Sequence, residues 1–424
     1  MRCHLAEATN EPKRVVAPVV QSNRITSIDV LRGVAILGIL LMNLPSFAQP
    51  RFDNPMIYGG FHGADLAAWL FCRVFANLKF LSIFSMLFGV GIYLFTSHIE
   101  AVGKSSAGLH YRRMIFLLSF GLLHGYLLWF GDILAHYAIC GMLVYPLRKL
   151  SVRKLLIVGG ILFAVPVVSG SIYILTMTSE QHEEFRSEFR PTQTEISQSL
   201  ATYRGSWLAQ ESTRANETLE FETSLFAWEY FWREFGLMLV GIALFKIGFF
   251  SAQMSKALYQ KLIAVAATIG IPLTLYSFYA NYHMGWQSER VYFLGEFLDY
   301  FSSLFISFGW VSVVMLLCQS AHAVPIQRSL QSVGRAAFSN YILQTVICTI
   351  LFYGEGFALY GRVSRCWQLG IVCLIWAFQI VVSNLWFRYF RMGPLESLWR
   401  SLTYWKPQPL RLPVAMECLT CHPA

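Results

Sequence analysis

Charge is scarce in this chain: 13% of its 424 residues are Asp, Glu, Lys or Arg, against 55% hydrophobic and 16% aromatic. A folded soluble protein carries about 25% charged residues, so this shortage argues against a string of soluble domains. It points to a chain that meets lipid over most of its length. No cleavable leader is expected either. The opening "MRCHLAEATNEPKRVVAPVVQSNR" has charges and prolines but no apolar stretch ending in a small-residue cleavage site, and Ser27 onward reads as a retained first span. No Gly-rich phosphate loop, heptad array or internal repeat is present, which leaves out P-loop nucleotide binding, coiled coils and solenoids. The nine cysteines lack a disulfide framework: Cys72, Cys140, Cys318, Cys348 and Cys373 stand singly in apolar runs and read as small buried hydrophobes. Cys418-x-x-Cys421-His422 has the formal spacing of haem attachment, but the expected topology leaves it on the cytoplasmic side, which argues against a haem. Zinc shared with Cys3 and His4 would need the two tails to meet. Neither haem nor metal is expected.

The apolar runs are long enough to count. With about 20 residues needed per helical span, ten segments qualify: 28–48, 78–97, 113–130, 132–148, 155–177, 230–250, 262–280, 297–318, 336–354 and 366–387. The expected fold is an all-α polytopic transmembrane bundle. The segment 65–77 is too short to cross and is expected at the interface or as a re-entrant piece; if it crosses, the spans become eleven. The net charge of +9 does not signal nucleic acid, because the basic residues fall in short segments between apolar runs. Threaded from a cytoplasmic N-terminus, bases such as Arg112, Arg113, Arg148, Lys149, Arg335 and Arg391 collect on one side, which places both termini inside. The resulting organisation is a tail over 1–24, an N-terminal membrane half over 25–177, a polar extracytoplasmic lobe over 178–228, a C-terminal half over 229–406 and a tail over 407–424. The lobe holds nine Glu against four Arg and is long enough to fold over a site entrance.

An ionisable side chain at mid-bilayer costs about 2.5–3.5 kcal/mol on insertion scales, so each one needs a partner, a cavity or a task. In "SIDVLRGVAILGILLMN", Asp29 and Arg32 lie one turn apart and can pair, and Asn43 ends the same helix about four turns on. A structural ion pair is the plain alternative there. The densest cluster is "GLLHGYLLWFGDILAHY", where His124, Asp132, His136 and Tyr137 fall on one hairpin. A histidine with a carboxylate orienter suits a general base or a proton relay, and a packed histidine would look the same in sequence. Arg233 and Glu234 open one later span, and Glu296 and Asp299 another. Asn340 and Gln344 share one helix face and would serve a channel or helix packing equally well.

These same stretches, with "KFLSIFSMLFGVGI", "FWREFGLMLVGIALFKIGFF", "GRAAFSNYILQTVICTILFYGEGFALYG" and "FRMGPLESLWRSLTY", resemble the YeiB-like family of bacterial inner-membrane proteins, a domain of unknown function (418). The resemblance runs from about Arg24 to Lys406. It implies a multi-pass protein of the bacterial inner membrane in a family loosely called transport-related. The first helix also resembles a wider group of membrane acyltransferases. Bacterial O-acyltransferases follow Asp-x-x-Arg-Gly with a histidine at the place of Asn43. The heparan-glucosaminide acetyltransferases have Asn there and a catalytic histidine beyond, whose spacing His62 does not match, which leaves His124. Two readings follow. In the first, an acyl-CoA such as acetyl-CoA docks by Arg32, Arg112, Arg113 and Arg335, with Asp29 aiming Arg32 at the phosphates. The acyl group then passes to a small-molecule or glycan hydroxyl or amine on the far side. His124 is the base, Asp132 its orienter, Asn43 the donor to the carbonyl oxygen, and His136, Tyr137, Asn340 and Gln344 line the channel. In the second, His124, Asp132, Arg233, Glu234, Glu296 and Asp299 are ion or proton steps of a transporter. The sequence offers no paired inverted repeat and no matched broken helices to support it.

Overall fold

The computed structural model describes residues 25–50, 61–188, 192–284 and 289–412. In chain order its helices are α1 (Thr26–Ala48), α2 (Gly63–Phe75), α3 (Lys79–Ala101), α4 (Ala107–Leu127), α5 (Leu134–Leu147), α6 (Val152–Thr176), α7 (Ser179–Glu188), α8 (Gln193–Tyr203) and α9 (Trp207–Glu220). They continue with α10 (Phe231–Lys246), α11 (Lys256–Val265), α12 (Ile271–His283), α13 (Glu289–Gln319), α14 (Val324–Arg335), α15 (Ala337–Phe352), α16 (Arg365–Tyr389) and α17 (Pro394–Tyr404). No β-strand occurs among the described residues. Each of the ten apolar segments falls on a helix or a helix pair. Six stretches are long and apolar enough to cross a membrane, and a seventh qualifies if α14 and α15 are taken together. The protein is therefore an all-helical, multi-pass membrane protein.

Burial sorts the helices. On α10, Arg233 through Leu239 are all buried and Gly89 of α3 meets it closely, since a Cβ there would lie 2.2 Å from the Met238 carbonyl oxygen. A helix enclosed on all sides belongs in the middle of a bundle. By contrast α6 and α16 present Ile161, Leu175, Trp367 and Leu374 outward, the lipid-facing pattern. Cys373 is on that outer face, while Cys140 and Cys348 are buried. The expectation of a buried Cys373 is thereby corrected, and the reason is physical: an apolar run in a membrane need not face the protein interior. No disulfide joins the described cysteines. Cys418, Cys421 and His422, like Cys3 and His4, lie outside the described residues.

Two features were not visible in the sequence pattern. The first is a 78° bend between α14 and α15, so this part of the chain does contain a broken helix pair. The N-terminus of α15 would expose unpaired N–H groups at the break, and the Glu396 carboxylate of α17 accepts them: Phe338 N at 2.8 Å, Ser339 N at 3.2 Å, and the Ser339 hydroxyl as well. This explains the acid in "GPLESLWRSLTY". Glu396→Ala is expected to cost about 1–2 kcal/mol, the range of a lost N-cap, read as a lower unfolding midpoint in detergent. Glu396→Gln should recover part of it.

The second feature is how the polar lobe attaches. Helix α4 ends with carbonyls that its own backbone does not satisfy. The α9 side chains of Thr218, Arg214 and Trp207 donate to the carbonyls of Gly125, Tyr126 and Leu127, at 3.0, 2.8 and 2.9 Å. Nearby, Gly354 N donates to Tyr203 O at 2.9 Å and Arg204 Nε to Tyr360 O at 2.8 Å. The lobe is thus bolted over the end of the bundle that carries Asn43, and a π-helical stretch, Phe221–Tyr230, leads from α9 into α10.

Candidate functional site

Helix α1 ties two polar regions together. Asp29 accepts from Arg32 at 2.7 Å near its start. Asn43 lies 14 residues further along, about 21 Å away at 1.5 Å per residue. At the Asn43 end a cavity of ≈ 330 Å³ opens between α1, α2, α13, α16 and the segment before α5. Its wall combines Asn43, Asn77 and Gln368 with Arg73, Arg365 and Glu296, and with the rings of Phe61, Trp69, Trp129 and Tyr230. Arg73 and Glu296 pair across it at 3.0 Å. Asp29 and Arg32 do not line this cavity, so the two ends of α1 do not share one chamber.

His124 stands one aromatic layer behind the wall. Its ring lies 6.4 Å from that of Trp129 and 5.1 Å from that of Tyr341. Nδ1 is 2.7 Å from Asp132 Oδ1 and Nε2 is 2.9 Å from the Thr345 hydroxyl, and all three residues are buried. The other Asp132 oxygen accepts from Ala135 N at 2.8 Å at the start of α5, which fixes the carboxylate before it fixes the histidine. A carboxylate, an imidazole and a hydroxyl in hydrogen-bonded sequence are the parts of an oriented base. The hairpin "LLHGYLLWFGDILAHY" brings the first two together, as its spacing suggested. Thr345 gave no signal, because a threonine in an apolar helix is usually bonded to its own backbone.

The remaining candidates divide. Asn340, Gln344 and Gln379 interlock: Gln344 Nε2 donates to Gln379 Oε1 at 2.9 Å and to Ile36 O at 3.1 Å, and Gln379 Nε2 donates to Asn340 O at 2.9 Å. These amides join α1, α15 and α16 and do not line the cavity. Tyr137 bonds the Ser85 hydroxyl at 2.8 Å, also away from the cavity. Arg112 donates to Thr403 O at 3.1 Å, and Arg113 lies between the rings of Phe95 and Trp399 at 4.7 and 4.3 Å. Both arginines thereby hold α17 against the bundle. Arg32 and Arg400 are close enough to Arg113 to repel it, so the Asp29 end carries a genuine concentration of positive charge. Arg335 donates to Arg391 O at 3.0 Å and lies over Phe387.

His136 forms a second buried cluster, 3.4 Å from Glu222 and 3.7 Å from Glu234. Glu222 was missed, because in sequence it is one of nine acids in a polar lobe. Lys79 and Asp299, fully buried, form a third at 2.9 Å.

Residues 244–406 match the family described as Protein of unknown function (DUF418). The chain is 32% identical over 388 residues to the uncharacterized protein YeiB of Escherichia coli (strain K12), covering 90% of this chain and 96% of that protein. It is 31% identical over 415 residues to the uncharacterized protein YxaH of Bacillus subtilis (strain 168), covering 93% and 97%. A third relative, an uncharacterized 39.9 kDa protein of Bacillus acidopullulyticus, is 28% identical over 402 residues, covering 93% and 98%. With agreement over nearly the whole length of both partners, the chain belongs to the YeiB-like (DUF418) family of multi-pass membrane proteins.

Proposed function

We propose that this protein is an inner-membrane acyltransferase of ten spans with both termini in the cytoplasm. In this reading it moves an acyl group from acetyl-CoA or another acyl-CoA at the Asp29 end to a hydroxyl or amine held in the cavity at the Asn43 end, along a path between the two ends that opens during turnover. The observation that carries the reading is the chain Asp132–His124–Thr345, an imidazole held by a carboxylate on one nitrogen and resting on a hydroxyl with the other. His124 Nε2, which rests on Thr345 behind the Trp129 ring of the cavity wall, takes the acceptor's proton once that ring swings aside. Asp132 fixes the tautomer and stabilises the imidazolium. Asn43, in the cavity wall, donates to the carbonyl oxygen as charge develops there. Arg32, held by Asp29, faces the donor's phosphates among the cations of Arg113 and Arg400, with Arg112 and Arg335 bracing the helices around them. The bilayer is the obligatory partner, and no nucleic acid is involved.

Isothermal titration of the detergent-purified protein with acetyl-CoA and with CoA tests this. Binding is expected in the wild type and in His124→Ala, and is expected to weaken at least about tenfold in Arg32→Ala, given about 1.5–3 kcal/mol for a hydrogen bond to a charged group. Absence of binding in a folded sample would remove the donor and with it the reading. Proteoliposome flux would then be the next assay.

A further inference from the structure

His136 is enclosed by aromatic rings, stacked on Phe221 at 4.9 Å and Phe226 at 4.2 Å between centroids, and it has no exposed surface. Its two nitrogens point at two acids from different elements: Nε2 at Glu222 on the π-helical stretch, and Nδ1 at Glu234 on α10. Both contacts are longer than a hydrogen bond. Neither ring nitrogen, neither Glu234 oxygen, Glu222 Oε1, nor Arg233 Nε or one of its terminal nitrogens has a hydrogen-bonding partner within the protein. A buried carboxylate in that condition is costly, and three such groups in a row lower the cost together by holding protons between them. The other ionisable groups facing the cluster are Asp132 before α5, Arg233 on α10, and Tyr137 and Cys140 next to Glu234.

We propose that Glu222, His136 and Glu234 form a proton-binding site that carries protons between the lobe side of the molecule and the bundle interior. The transfer balances without a further reactant. The Glu222 carboxyl O–H gives its proton to His136 Nε2, the Nδ1–H of the same ring passes to Glu234 Oε1, and the imidazole ends neutral in its other tautomer. One proton has moved across the ring. Phe221 and Tyr230, which contact His136, also line the cavity, so the site lies directly behind the wall of the binding chamber. The outer member of the chain is tuned for exchange at ordinary pH. Burial pushes the Glu222 carboxyl up to about 8, with Asp132 and Glu234 adding to the rise and His136 opposing it. The site stands whether or not the protein is an acyltransferase, because it uses neither the donor nor Asn43.

Infrared difference spectroscopy of the full-length protein across a pH titration tests the proposal. A protonated-carboxyl C=O band is expected to titrate near pH 8 and to vanish in Glu222→Gln. In His136→Gln the band should remain with its midpoint moved up, since the opposing imidazole is gone. In Glu234→Gln the midpoint should move down, since a repelling acid is gone. If Glu222→Gln does not fold, the opposite shifts in the other two variants decide the matter. A band that titrates in the ordinary carboxylate range, one unaffected by Glu222→Gln in a folded sample, or one whose midpoint does not move in His136→Gln would overturn the proposal.

Discussion

Asp299→Ala is expected to cost the fold about 3–5 kcal/mol, the range for removing one partner of a buried ion pair. Lys79 has no exposed surface, and its ammonium donates to Asp299 Oδ1 at 2.9 Å and to Arg73 O at 2.8 Å. Asp299 also accepts from Thr274 Oγ1 at 3.1 Å and from Asn77 Nδ2 at 3.4 Å, so both its oxygens are used. Deleting the carboxylate leaves a buried cation without its counter-charge. Lys79→Met with Asp299→Leu removes both charges and retains much of the volume, so the double variant is expected to be far closer to wild type than either single change. Unfolding midpoints in detergent for the two singles and the double give the coupling directly. Singles that melt like the wild type would mean that the charges are hydrated in the folded protein. Asn77 touches both Asp299 and the cavity, so the pair supports one residue of the chamber wall from behind. Ligand affinity should therefore fall in the single variants before the fold is lost.

What could be read in the sequence was whatever has a period or a spacing. Apolar runs of about 20 residues gave the helices, and the eight-position spacing of His124 and Asp132 gave the hairpin that puts them in contact. Long-range partners have no such signature. Thr345 meets His124 across 221 positions, and Lys79 meets Asp299 across 220. Lys79 opens an apolar run and carries no mark there of an acid 220 positions away. Glu222 illustrates the opposite failure, since an acid in an acid-rich lobe reads as solvated until the fold turns it inward onto a histidine. The Asn340 and Gln344 stripe was legible as a polar face, but periodicity could not say whether it would hold a ligand or another helix. Gln379, 35 residues after Gln344, takes up those amides in a contact between helices.

Gly334→Val is expected to leave no monodisperse folded protein. Helices α1 and α14 cross backbone to backbone: a Cβ on Gly334 would lie 1.9 Å from Asp29 O and 2.7 Å from Gly33 N, and one on Gly33 would lie 2.1 Å from Leu330 O. The atoms in the way are main chain on both sides, so no rotamer change can relieve the clash, and the helices would have to separate. Close approach of this kind is what small residues supply where lipid gives no hydrophobic push between helices. Separation would also move Asp29, whose carbonyl sits in the crossing, and with it Arg32. The bend at Ala336 follows two residues later, so a shift of α14 would reach α15 and Thr345. Gly160→Ala is the matched control, because nothing lies within 4 Å of a Cβ there. Replacing that mid-helix glycine should stabilise α6 by about 0.8–1 kcal/mol. Size-exclusion profiles of the two variants beside wild type separate a specific crossing from a general intolerance of added methyl groups. A folded Gly334→Val protein would mean that the Asp29 end is loosely packed, and Asp29 could not then be what aims Arg32.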